Sequence, residues 1–205
     1  MEVYGGCSFG SLSERWERTM IEAVSGIAGA IGLSTSAGLN AYLPLLIVGL
    51  VARYTDLINL NGPWDMLTNG WVLAVLAVLL LVEMTADKIP AVDSLNDVIQ
   101  TAGRPLAGAI LFAAGSGIVG ELHPVLAFIA GLLIAGGVHA AKTAVRPVVT
   151  VITGGMGNWL VSLLEDMLSF IIVVVAILVP LLALLMIAAV VLFFVWETRS
   201  RTVPG

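Results

Sequence analysis

The chain has 205 residues, of which 59% are apolar and 11% charged, and its mean hydropathy is +1.05. A soluble domain of that composition would lack the polar surface to cover itself, and the length leaves room for about six membrane spans and no sizeable extramembrane domain. The net charge of −5 shows no basic tract that would suit nucleic acid, and the single cysteine, Cys7, excludes an internal disulfide and every multi-cysteine metal site.

In chain order, residues 1–19 form a polar leader carrying Arg15 and Arg18 beside Glu14 and Glu17. No small-x-small cleavage pattern follows it, so it is expected to be retained. The first apolar segment, Met20 to Tyr54, is too long for one straight span and carries Ser34, Thr35, Ser36 and Asn40 around a glycine-rich patch. Either the helix is broken or re-entrant there, exposing backbone groups to a protein cavity, or an interfacial helix from Met20 to Leu33 joins an ordinary span. A second span is expected from Trp71 to about Asp87, stopped by Ile89-Pro90. The third covers Pro105 to Gly120, and the fourth runs from Val125 to Arg146 and ends at Pro147. The fifth, Val148 to Leu164, is weak because it contains Thr150, Thr153, Gly154, Gly155, Gly157 and Asn158. The sixth, Met167 to Trp196, is interrupted only by Ser169 and Pro180. The fold class is therefore all-α, a polytopic membrane helix bundle.

Eight of the 9 basic residues fall on one side of this six-span frame and only Arg53 on the other, which places both termini in the cytoplasm. Trp64, Trp71, Trp159 and Trp196 lie near span ends, as interfacial anchors do. Gly32 to Gly49 and Gly131 to Val148 align by eye, with Ala37-Gly38 over Gly136-Gly137 and Asn40 over His139. Each is followed by a span ending in acids, Glu83 and Asp87 or Glu165 and Asp166. Two membrane repeats, 20–120 and 121–197, followed by a cytoplasmic tail at 198–205, would then make an inverted 3+3 repeat of the kind secondary transporters use. The alternative is a chance likeness between helices rich in glycine and alanine.

The candidate binding residues are Asn40, Glu83, Asp87, Arg104, His139, Lys142, Arg146 and Asp166. Glu83 and Asp87 share one helical face, where a carboxylate is either embedded and coupled to ions or simply at a helix end among headgroups. His139, Lys142 and Arg146 are spaced three and four apart, so one face either holds a carboxylate or phosphate or lets Lys142 and Arg146 snorkel to the surface. Arg104-Pro105 and Arg146-Pro147 repeat one dipeptide that would clamp a headgroup or the acids Asp93 and Asp97, unless it only serves topology. Glu165 and Asp166 point about 100° apart on a helix, so at most one faces a common site, and Asp166 is taken as that one. No catalytic residue, metal or cofactor is indicated.

The strings GLSTSAGLNAYLPLLIVGLVARY and VEMTADKIPAVDSLNDVIQTAGRPLAGA resemble the DUF4126 family, with ADKIPAVDSLND the most specific part and the similarity extending from about Ile27 to Val195. The resemblance implies a bacterial multi-span protein of the inner membrane and implies no activity. From the residues themselves, a small transporter or lipid translocase ranks first, coupled to protons or cations and moving an anionic group. A non-transporting scaffold comes next. An enzyme acting on a lipid phosphate ranks below both, because there is no HExxH, no aspartate-rich repeat, and the K-x-x-x-R-P at Lys142 is too short for a lipid phosphatase signature. Expected partners are membrane lipids, an anionic small molecule or headgroup, and a second copy of the chain through small-residue faces such as Ser25-x-x-x-Gly29.

Overall fold

The computed structural model describes residues 9–60, 62–86, 90–116 and 122–201. Among the described residues every regular element is helical: α1 (Phe9–Leu39), α2 (Tyr42–Tyr54), a 3-10 helix (Gly62–Thr68), α3 (Gly70–Ala86), α4 (Pro90–Ser116), α5 (Pro124–Thr153) and α6 (Asn158–Arg201).

The first apolar segment is broken, at Asn40-Ala41 and not at Ser34 to Ser36, which lie inside α1. Proline explains the position. Pro44 has no N–H to donate to the carbonyl of residue 40, and its ring would collide with that carbonyl in a continuous helix. The chain restarts instead, with Pro44 in the first turn of α2, and Asn40 Oδ1 accepts hydrogen bonds from the N–H groups of Tyr42 and Leu43 at 3.1 and 2.9 Å. At α3, Asn69 caps by the same means, accepting from the Trp71 N–H at 2.9 Å.

Pro105 and Pro147, expected at span boundaries, lie inside α4 and α5. Each removes one backbone hydrogen bond; Pro105 lies against Gly136 of α5, whereas Pro147 is on an exposed stretch of its helix. The expected fifth span is not a helix. Val148 to Thr153 completes α5, and the chain then turns through Gly154 and Gly155, whose φ values of +61° and +85° suit glycine, before Asn158 opens α6.

Among the described residues, 2 helices are long and apolar enough to cross a bilayer, Pro124–Thr153 and Asn158–Val179, with a third if the 3-10 helix and α3, bent by 67°, act as one span. Six spans are not confirmed among the described residues, and the two halves differ in backbone: the segment from Gly32 breaks at Asn40, whereas its counterpart runs unbroken through His139.

The bundle is apolar outside and carries polar groups among the apolar ones of its core. Val24, Ile31, Val75, Val78, Leu133, Val148 and Phe170 are exposed, while Ser34, Ser36, Gln100, Arg104, His139 and Ser169 are buried. A water-soluble protein reverses that order; in a bilayer the lipid takes the apolar face and the polar groups must satisfy one another within. Glycines allow the central helices to approach. A Cβ on Gly131 would lie 2.6 Å from Phe112 Cβ, and one on Gly49 2.6 Å from the Leu67 carbonyl oxygen. Gly29 and Gly32 face Ala176 of α6, so this small-residue face of α1 is occupied within the chain.

Candidate functional site

Four helices, α3 to α6, bring ionisable side chains together inside the bundle, in two connected groups. In the first, Glu83 from the last turn of α3 meets Arg104 from the middle of α4, with Arg104 Nη2 donating to Glu83 Oε1 at 3.0 Å and side-chain exposures of 1% and 0%. Arg104 Nη1 lies 3.1 Å from His139 Nδ1 on α5. Guanidinium nitrogen only donates, so Nδ1 accepts and the imidazole carries its proton on Nε2. That N–H points to Thr101 Oγ1, 3.3 Å away and one turn before Arg104 on α4. The imidazole is thus neutral, held at both nitrogens by α4.

The second group lies one and two turns further along α5. Lys142 Nζ is 2.7 Å from Glu165 Oε2 on α6 and donates to the Leu39 carbonyl at 3.2 Å. Arg146 Nη2 donates to the same Glu165 Oε2 at 3.3 Å and to Ser162 Oγ at 2.9 Å. Two cations therefore converge on one carboxylate oxygen, and the trio carries one more positive charge than negative. Arg104 is close enough to Lys142 to act on it electrostatically, which ties the two groups together.

Beside Glu165, Asp166 turns to α1 and accepts from Asn40 Nδ2 at 2.8 Å. A turn further on, the Ser169 hydroxyl meets the Ser36 hydroxyl at 2.7 Å. Ser34 Oγ donates to the Gly108 carbonyl at 2.8 Å, linking α1 to α4. Gln100 is buried on α4, and its Oε1 has no hydrogen-bond partner among the described residues.

Of the residues singled out from sequence, Glu83, Arg104 and His139 form one group and Lys142 and Arg146 the other, while Asn40 and Asp166 pair beside them. Asp87 lies outside the described residues. Lys142 and Arg146 do not snorkel: both are buried at mid-helix, where the neighbouring helix supplies a carboxylate. Arg104 binds Glu83, an acid on the preceding helix. Glu165 is the acid facing the basic stripe, although Asp166 was preferred from sequence; both are used, on different neighbours, because their roughly 100° separation matches a helix wedged between α5 and α1. Thr101, Ser162 and Ser169 were missed. Ser162, Glu165 and Ser169 stand at i, i+3 and i+7 on one face of α6, a polar stripe that would have revealed them.

The arrangement holds three basic and three acidic side chains away from the lipid, with a neutral imidazole between them. It can bind an oxyanion on Lys142 and Arg146 and exchange protons at its carboxylates. Neither the comparison with curated proteins nor that with solved structures gave a match. The family model described as a domain of unknown function, DUF4126, matches residues 27–200, most of the chain, and the protein belongs to that family.

Proposed function

We propose that the protein is a small secondary carrier or lipid translocase of the bacterial inner membrane, coupled to protons or another cation, that moves a group bearing a carboxylate or phosphate. The observation that carries this is the convergence of Lys142 and Arg146 on Glu165 inside the bundle. Burying two cations in a membrane protein is costly, and a helix that needed only to pack would use apolar residues there. Arg146 suits an oxyanion by its planar fork of donors, Lys142 by its compact charge. Both termini are placed in the cytoplasm on the strength of Arg15, Arg18, Arg199 and Arg201, since Arg104, Lys142 and Arg146 lie in the bundle and no longer count towards orientation. Alternating access does not require the inverted 3+3 repeat, whose second copy would have to include the turn at Gly154.

The test is reconstitution into liposomes of phosphatidylethanolamine and phosphatidylglycerol, with uptake of radiolabelled inorganic phosphate and of gluconate, a poorly permeant carboxylate, under a pH gradient, and movement of a fluorescent phosphatidic acid between leaflets. Gradient-dependent movement of any one probe, lost in Arg146→Gln, supports the carrier. Absence of movement for all three, with the protein folded and inserted, refutes it. A non-transporting scaffold is the second reading, favoured by the finding that Glu83, Arg104, Lys142, Arg146 and Glu165 all meet partners within the chain. A scaffold tolerates Arg146→Gln in its assembly and retains a co-purifying partner.

A further inference from the structure

We infer that Glu165 is an internal stand-in for the transported anion, and that protonation of its carboxylate is what vacates the site. This deepens the carrier reading above and rests on it.

Glu165 Oε2 sits where an oxyanion would sit, within 2.7 Å of Lys142 Nζ and 3.3 Å of Arg146 Nη2, on the face of α5 that turns to α6. The Glu165 side chain is the most exposed of this trio at 14%, against 3% for Lys142 and 9% for Arg146. An incoming carboxylate or phosphate meets the same two donors and competes with Glu165 for them. Both anions cannot share the pair, because like charges at contact distance repel strongly where water is excluded.

Charge balance sets the stoichiometry. With Glu165 ionised the trio is +1. With Glu165 protonated and one monoanion seated between Lys142 and Arg146 it is again +1, so loading takes one proton and one monovalent anion together and leaves the buried charge unchanged. The proton comes from the aqueous phase and ends on Glu165, and the anion takes over the contacts that the carboxylate gives up. A buried cluster tolerates such an exchange far better than a gain or loss of net charge.

The surroundings are compatible with this assignment. α5 presents Lys142 and Arg146, and α6 itself presents Ser162 and Asp166, the latter turned away to Asn40. α1 has no charged side chain between Ala23 and Leu39. On α2 the ionisable side chains are Tyr42 and Tyr54 at its two ends and Arg53, which donates to the Thr68 carbonyl. α4 contributes Arg104, engaged with Glu83 and His139.

The experiment uses the full-length protein. In detergent with weakly buffered solution and a pH dye, addition of inorganic phosphate or of acetate at a pH where the anion is monovalent should draw about one proton from solution per anion bound, and Glu165→Gln should bind with no proton uptake. In proteoliposomes a gradient of about one pH unit should drive about tenfold accumulation of the poorly permeant monoanion gluconate, with protein-free liposomes showing none. That accumulation should be unaffected by an imposed membrane potential, because one proton and one monoanion move together. Glu165→Gln should retain exchange of internal for external anion and lose gradient-driven accumulation. Glu165→Asp, one methylene shorter, should restore it. A fluorescent phosphatidic acid run in parallel tells a lipid headgroup from a free anion. Anion binding by the unsubstituted protein without proton uptake, or accumulation that persists in Glu165→Gln, overturns the inference while leaving the carrier intact. If Glu165→Gln does not fold, proton uptake by the unsubstituted chain decides the matter. No movement of any probe in the unsubstituted protein overturns the carrier and this inference with it.

Discussion

Replacing Arg104 with methionine should nearly unfold the protein, and the expected size follows from its position. The guanidinium is 0% exposed, 3.0 Å from Glu83 Oε1 and 3.1 Å from His139 Nδ1, so its loss leaves a buried carboxylate facing a vacated site. Coulomb's law at an effective dielectric of about 20 puts the attraction near 4–5 kcal/mol, and breaking a buried pair from one side costs about 3–5 kcal/mol. Against a total stability of about 5–15 kcal/mol that is a large share. The assay is reversible unfolding in mixed micelles of rising sodium dodecyl sulfate content, followed by tryptophan fluorescence and repeated for Glu83→Gln and for the double variant. Each single change should cost several kcal/mol. The double variant should cost far less than their sum, with a coupling energy of about 2–3 kcal/mol. A coupling at or below about 0.6 kcal/mol, the average for interhelical hydrogen bonds in membranes, would refute the reasoning and show the pair to be hydrated.

Gly131→Ala should lower stability by about 1–3 kcal/mol, because its Cβ would enter the space of Phe112 Cβ and Ala109 Cα at 2.6 and 2.8 Å. Gly137→Ala on the same helix meets nothing within 4 Å and should stabilise by up to about 1 kcal/mol through helix propensity, so paired melting curves separate packing from propensity. Asn40→Ala should cost about 1–2 kcal/mol from the lost cap on α2 and the lost bond to Asp166. Asn40→Asp keeps the cap but sets a second carboxylate against Asp166, so its deficit relative to the unsubstituted protein should shrink as pH falls and one of the two acids takes a proton. A deficit that does not change with pH would place Asp166 away from residue 40.

Much of the interior was legible because ionisable residues in an apolar chain have few places to go. Glu83, Arg104, His139, Lys142 and Arg146 stood out by being charged or titratable within or beside apolar runs, and the bundle collects them all. Their partners were less legible, because pairing is decided by which helix faces which, and the spacing along one helix does not carry that. Asp166 was preferred to Glu165 with only a 100° difference in direction to judge by, and α6 uses both directions. Span boundaries suffered from a rule that is true of soluble helices and weaker in membranes. Arg104-Pro105 and Arg146-Pro147 look like helix ends, yet α4 and α5 run on through both prolines. Pro44 did break its helix, a signal passed over in favour of Ser34 to Ser36: Asn40 stands four residues before it, the residue whose carbonyl the proline displaces and whose side chain can cap the restart.

The break at Asn40 also helps to build the site. In an uninterrupted helix the Leu39 carbonyl would accept from the N–H of residue 43, but the Leu43 N–H is taken by Asn40 Oδ1, so the carbonyl is left at the end of α1 for another donor. Lys142 Nζ takes it at 3.2 Å, a cation placed where the helix dipole is negative. The Asn40 amide meanwhile donates to Asp166, which fixes α6 one residue away from Glu165. A single asparagine thus caps α2, leaves α1 with an acceptor for Lys142 and orients the helix that brings Glu165 to Lys142 and Arg146. Any shift of α2 relative to α1 about Asn40 would therefore disturb all three contacts together.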